Sequence, residues 1–189
     1  MTLSILWQVL FWGWFASEIV VGVATRTRGA RGKVHDRGSL LILWVVIATS
    51  ITACQWISET TAPTMFGGAH ALKTAGAIVM LVGLAIRGTA ILTLGKFFSS
   101  NVAILDSQKL NRSGLYRLVR HPSYLGLLLV FVAIGLHSRN WLSFAIVLVP
   151  TTTALLYRIH VEEAALVKAF GDEYRAYGQT TKRLIPGLY

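Results

Sequence analysis

Between Leu110 and Gly126 the chain gathers the side chains most able to do chemistry: Arg112, Tyr116, Arg117, Arg120, His121 and Tyr124, followed at once by a long apolar run. Pro122 suits the first turn of a helix built on that run, because its missing N–H has no helical partner there and its φ is already helix-like. The free N–H groups and the positive end of the helix dipole then face back at the polar loop, a setting that favours a carboxylate or phosphate. The stretch reads as a site for a soluble anionic or zwitterionic ligand held at a membrane surface.

A second chemical stretch, Arg158-Ile159-His160-Val161-Glu162-Glu163, continues directly from the last apolar run. At about 100° per residue, Ile159, Glu163, Leu166, Phe170, Tyr174 and Tyr177 share one helix face, with Lys168, Asp172 and Arg175 opposite. Arg158 and Glu162, one turn apart, can meet. Glu163 points to the apolar face, where an unpaired carboxylate is costly. Gly171 is expected to bend or end this helix.

The elements that must position these residues are membrane spans. The 189-residue chain is 54% hydrophobic and 14% charged, too apolar for an ordinary soluble domain, and its apolar runs approach the roughly 20 residues that cross a bilayer as helix. The expected spans are 3–24, 39–58, 72–94, 122–136 and 141–157, the last two short enough for a tilted or re-entrant hairpin. The predicted fold is therefore all-α, a polytopic bundle of about five spans with a cytoplasmic C-terminal helix. Residues 1–94 supply three N-terminal spans, and 95–189 supply loop, hairpin and tail of the same integral domain. The first span lacks a basic leader and carries Glu18, so a retained span is expected rather than a cleaved signal.

Arg26, Arg28, Arg31, Lys33 and Arg37 crowd the first loop, and the third loop and the tail are also basic. That alternation puts those three segments in the cytoplasm, where the net charge of +10 serves orientation and contact with anionic lipid headgroups rather than nucleic acid. Glu18 and Arg87 interrupt apolar runs at similar depth, about 9 Å from the cytoplasmic ends of their spans at 1.5 Å per residue. Such charges pair with one another or line cavities. The single cysteine, Cys54, excludes an internal disulfide. The five histidines show no metal-ligand spacing, and neither a dinucleotide fingerprint nor a nucleophile elbow occurs.

Two motifs together carry a family resemblance. Gly114-x-Tyr116-x-x-x-Arg120-His121-Pro122-x-Tyr124-x-Gly126, and then Arg158-x-x-x-Glu162-Glu163-x-x-Leu166-x-x-x-Phe170-Gly171-x-x-Tyr174-x-x-Tyr177 with Lys182-Arg183-Leu184-Ile185-Pro186, resemble the signature of the isoprenylcysteine carboxyl methyltransferase family and its phospholipid-methylating relatives. The resemblance covers about residues 95–186. It implies a membrane methyltransferase using S-adenosylmethionine, with S-adenosylhomocysteine as product. It implies cofactor contacts at Asn101, Gln108, Lys109, Leu110, Asn111, Tyr116, His121, Pro122, Ser123, Tyr124, Glu162 and Glu163. Arg158 and Glu162 would be the catalytic pair, Arg158 binding the acceptor. At Gln108 relatives often carry His, a departure in this chain.

The residue types suit that chemistry. A sulfonium already activates the methyl group, so the protein need only align the two partners and exclude water. A carboxylate acceptor is ionised at neutral pH and needs no general base, and Arg158 could orient it bidentately. An amine or thiol acceptor, as in phospholipid or thiol methylation, would need a base, with Glu163 and His160 the candidates. The expected partners are a prenylated or lipid-like acceptor and membrane lipids, without nucleic acid or metal. Two alternatives belong to other classes: a sterol-type reductase using NADPH, and a scaffold whose basic loops bind anionic lipid.

Overall fold

The computed structural model describes residues 3–25, 32–34, 38–65, 68–105 and 108–189. Helices α1 (Leu3–Ala24), α2 (Ser39–Thr60), α3 (Ala69–Leu94), α4 (Pro122–Ser138) and α5 (Trp141–Phe170) form a bundle, and a short α6 (Asp172–Thr180) follows. By length and composition α1, α2, α3 and α5 can each cross a membrane, whereas α4 is a shorter apolar helix. The fold is a polytopic membrane helix bundle. A small antiparallel ribbon pairs β1 (Gly32–Val34) with β2 (Ala103–Leu105), with Lys33 in register with Ile104. That ribbon joins the first and third loops. The basic residues Arg26, Arg28, Arg31 and Arg37, on which the orientation argument leans, lie outside the described residues.

Burial runs as a bilayer requires. Trp14, Leu43, Ile47, Met80, Leu127, Phe131, Val147 and Leu155 form the interior, while Val9, Trp12, Val23, Leu41, Trp56, Leu92 and Val149 stand exposed on the outside of the bundle. An apolar outer surface of this extent is stable against lipid and not against water. Helices α3 and α4 approach backbone to backbone: a Cβ on Gly126 would sit 2.6 Å from the Gly83 carbonyl oxygen, and one on Gly83 would sit 2.7 Å from the Gly126 oxygen. Small residues permit such approach where lipid supplies no hydrophobic drive between helices. At one end of the bundle, Arg139 in the left-handed region (φ 57°) stops α4. Asn140 then caps α5 by accepting from the Leu142 and Ser143 N–H groups at 2.9 and 3.1 Å and donates to Thr61 at 2.8 Å. A stacked Trp7–His137 pair, centroids 3.8 Å apart, ties α1 to the same end.

The opposite end carries the chemistry. There the third loop bonds back to the end of α1, Ser100 N–H to Thr25 O at 3.3 Å and Ser100 Oγ to Gly22 O at 3.1 Å. Gly171 (φ 55°) breaks the helix expected from Arg158 through Tyr177 into α5 and α6. Tyr174 and Tyr177 still reach the interior, because α6 folds back along the loop before α4 rather than extending the line of α5.

Candidate active site

A cavity opens at this end between α1, α2, α3, α4, α5 and the third loop. It holds about 1070 Å³ of space not filled by protein atoms, counting the part open to solvent. Its wall combines polar side chains, among them Asn101, Gln108, Tyr116, His121, Glu162 and Arg158, with apolar ones, among them Trp14, Leu43, Trp44, Ile47 and Leu127. Two segments more than sixty residues apart build the rim. The Arg120 N–H donates to Lys182 O at 2.8 Å and the His121 N–H to Arg183 O at 2.9 Å, a short parallel bridge at Val119 and Lys182 that holds the loop against the tail.

Tyr124 is the hub. Its hydroxyl donates to Glu162 Oε2 at 2.8 Å and accepts from Arg158 Nε at 3.0 Å. Arg158, 2% exposed, also donates to Ser39 Oγ at 3.0 Å and to the Ser100 carbonyl. Arg158 and Glu162 are thus joined through Tyr124, a link that i,i+4 spacing could not reveal because the bridging hydroxyl comes from α4. His121 stacks on Tyr124, centroids 5.7 Å apart, with Nδ1 3.8 Å from Glu162 Oε2.

Glu163 faces away from the cavity, into a cluster of its own. Its carboxylate takes Arg120 Nη2 at 2.9 Å and Arg183 Nε at 2.9 Å, and lies 3.4 Å from both Tyr174 Oη and His121 Nε2. This cluster, with the Tyr177 hydroxyl donating to the Tyr116 carbonyl, fastens α5 and the tail to the loop before α4. Burial pushes the phenols of Tyr116 and Tyr174 well up, helped by the nearby carboxylates of Glu162 and Glu163 respectively, and burial pushes Tyr177 up to about 12.

Of the residues singled out from sequence, Asn101, Gln108, Tyr116, His121, Ser123, Tyr124, Arg158 and Glu162 line the cavity. Pro122 is buried in the first turn of α4. Lys109 is exposed and Leu110 half-buried beside it. Asn111 braces the loop, donating to Thr93 O at 3.2 Å and accepting from Ser113 N–H at 2.8 Å. Glu18 and Arg87 form a bidentate ion pair, with Nη2 2.6 Å from Oε2, and both line the cavity. Sequence reasoning missed Ser39 and Ser100, which act through a hydroxyl and a carbonyl that no local pattern marks, and it quoted Arg183 in the tail motif without giving it a role.

A sequence profile of the isoprenylcysteine carboxyl methyltransferase (ICMT) family matches residues 76–168, a stretch that includes Asn101, Gln108, Tyr116, His121, Ser123, Tyr124, Arg158 and Glu162 of the cavity wall. Over those residues the chain is similar to that family. It is 44% identical over 72 residues to methanethiol S-methyltransferase 1 of Bradyrhizobium diazoefficiens, covering 38% of this chain and 24% of that one. It is 34% identical over 113 residues to the probable protein-S-isoprenylcysteine O-methyltransferase of Oryza sativa subsp. indica, 59% of each. The solved structure of the eukaryotic intramembrane Ras methyltransferase ICMT matches with a TM-score of 0.62 and 26% identity over 76% of this chain and 52% of that chain. The chain therefore spans about a quarter and three fifths of the lengths of those two relatives.

Proposed function

We propose that the protein is an S-adenosylmethionine-dependent integral membrane methyltransferase acting on a carboxylate of a prenylated or lipid-like acceptor, with its site facing the cytoplasm. The observation that carries this reading is the junction of Arg158, Tyr124 and Glu162 in one cavity whose wall carries both polar and apolar side chains. A dipolar cofactor and an apolar acceptor need those two surfaces side by side. The basic third loop and tail support the cytoplasmic assignment.

The residues present fit the cofactor. Glu162, with its side chain 31% exposed, offers a carboxylate to an amino group; Asn101, Gln108 and Tyr116 offer polar contacts for a ribose; Phe97 and Phe98, also on the wall, offer apolar faces for a purine. Bound S-adenosylmethionine would supply a methyl group already activated on sulfur. The remaining work belongs to this chain. Arg158, fixed by Tyr124, Ser39 and Ser100, places a positive charge where a carboxylate can be turned toward the methyl group. His121, 5% exposed, and the Tyr124 ring close the site against water. Oxygen attack by an ionised carboxylate leaves no proton to remove, so no base is assigned.

Calorimetry with S-adenosylhomocysteine tests the reading. Binding is expected, and it should weaken in His121→Ala and Glu162→Ala; Arg158→Ala should keep binding and lose methylation of a prenyl-thioether carboxylic acid. Absence of binding overturns the proposal. The identity shared with a methanethiol S-methyltransferase favours a thiol acceptor as the second reading, so methanethiol belongs in the same assay.

A further inference from the structure

Residues 184–189 close on themselves beside the start of α4. The Leu184 and Ile185 N–H groups donate to Tyr189 O at 2.7 and 2.8 Å, and the Leu188 and Tyr189 N–H groups donate to Ile185 O, both at 3.1 Å. Gly187 supplies the positive φ of 76° inside this hook. Arg183 clamps it from outside, 5.5 Å over the Tyr189 ring and donating to the Tyr189 hydroxyl at 3.2 Å. Leu184 is buried, whereas Ile185, Leu188 and Tyr189 are exposed, Leu188 at 75%. Three large apolar side chains displayed by one fixed turn mark an interaction surface.

Register sets the depth of that surface. Residues 182 and 183 run parallel to 120 and 121, so at Leu184 the tail is heading where α4 heads, toward the interior of the membrane. The Gly83–Gly126 contact, with the bond from Tyr116 Oη to Ala90 O at 3.3 Å, places the start of α4 about one to two turns short of Leu94, where α3 ends. Leu92, in that same interval, is 81% exposed on the outside of the bundle. The hook therefore sits level with lipid-facing side chains of a span. On its aqueous side Lys182 is exposed, and so is Arg117, which precedes the bridge partner of Lys182 by two residues.

We propose that residues 184–189 are an interfacial anchor. Ile185, Leu188 and Tyr189 enter the boundary of the bilayer that the helices span, and Arg117 and Lys182 lie over them on anionic headgroups. Burial favours the apolar side chains, while the Tyr189 hydroxyl stays at headgroup level, where such rings gather. Charge complementarity and depth both point to lipid. Arg183 also donates to Glu163 Oε2 at 2.9 Å, so the anchor is tied to the rim of the cavity. The inference needs only the membrane bundle and is independent of the reaction assigned to the site.

Spin labelling of the full chain in nanodiscs tests it. With the single native cysteine removed as Cys54→Ala, a nitroxide is attached through Leu188→Cys or Ile185→Cys, and through Lys168→Cys on the exposed part of α5 beyond Arg158 as the aqueous control. In phosphatidylcholine with phosphatidylglycerol, labels at 185 and 188 are expected to meet oxygen, which concentrates in lipid, several-fold more than a label at 168. They should meet a water-soluble nickel chelate several-fold less. In phosphatidylcholine alone nickel access at 188 should rise, and Arg117→Gln/Lys182→Gln should remove that difference between the two lipids. Nickel access at either hook position equal to that at 168 would put the hook in water, open to a soluble partner, and overturn the inference. A depth indifferent to phosphatidylglycerol would overturn it as well, because the two cations would then have no headgroup to meet.

Discussion

Removing one oxygen atom should disable the site. In Tyr124→Phe the ring, its stacking on His121 and the packing of α4 all stay, while the hydroxyl that joins Glu162 and Arg158 is lost. The two partners respond differently. Glu162 has a side chain 31% exposed, so water replaces the lost donor at a cost of about 0–1 kcal/mol. Arg158 is 2% exposed, and its Nε–H loses its acceptor where water is scarce, about 1–3 kcal/mol. Together they amount to about 1–4 kcal/mol, or roughly 5- to 700-fold in kcat/KM at 1.4 kcal/mol per decade. Steady-state methylation with saturating cofactor reads the effect, and calorimetry with S-adenosylhomocysteine assigns the part that comes through Glu162. A cycle with Glu162→Gln should give a coupling energy of about 1 kcal/mol, because contacting groups do not act additively. Activity within threefold of wild type would mean that the hydroxyl organises neither group, and the hub would be wrong.

Glu163→Gln should leave Arg120 and Arg183 facing a neutral amide and lower stability by about 2–4 kcal/mol, below the 3–5 kcal/mol of a fully buried pair because Arg183 has a side chain 42% exposed; the thermal unfolding midpoint in detergent checks it. Gly126→Ala should abolish folded protein, since its Cβ meets the Gly83 carbonyl oxygen and Arg87 N inside 2.8 Å and neither backbone can yield; monodispersity on size exclusion checks it. Stability should also fall at high pH. Below the ordinary phenol value of 10.0, Tyr177 is protonated whether the chain is folded or not; above it the unfolded chain loses the proton while the folded one keeps it up to about 12. Unfolding is therefore favoured progressively from pH 10 toward 12, with Tyr116 and Tyr174 acting in the same direction. Absorbance of the phenolate against pH should show these three of the six tyrosines titrating only as the helix signal is lost.

The sequence made the bundle legible, because apolar runs long enough to cross a bilayer admit few other structures. It also made the meeting of two distant motifs legible, since each pairs polar side chains with an adjacent span. Three features were not. The ribbon between 32–34 and 103–105 rests on backbone bonds that composition does not encode. The break at Gly171 was expected, but the path of α6 beyond it, where φ is 55°, could not be drawn from the helix face that runs from Ile159 to Tyr177. The division of labour between Glu162 and Glu163 also needs three dimensions. Adjacent carboxylates project about 100° apart, so one meets the cavity and Tyr124 while the other meets Arg120 and Arg183.

That division explains why so much charge sits at one end of so apolar a chain. A site that handles a water-soluble molecule beside a lipidic one must present charged groups without letting them collapse onto each other or draw water into the bundle. Here each buried charge is held by a partner from another element: Arg87 of α3 by Glu18 of α1, Arg158 of α5 by Tyr124 of α4 and Ser39 of α2, and Glu163 of α5 by Arg120 and by Arg183 of the tail. Charges so partnered, by an opposite charge or by hydrogen bonds, cost less to bury than bare ones, and each partnership spans a helix–helix or helix–loop junction. The same contacts that make the charges tolerable therefore fix the shape of the cavity. A substitution at any of them should alter acceptor choice or cofactor affinity along with stability, so the two effects separate only in variants, such as Tyr124→Phe or Arg87→Lys, that keep the volume or the charge of the residue they replace.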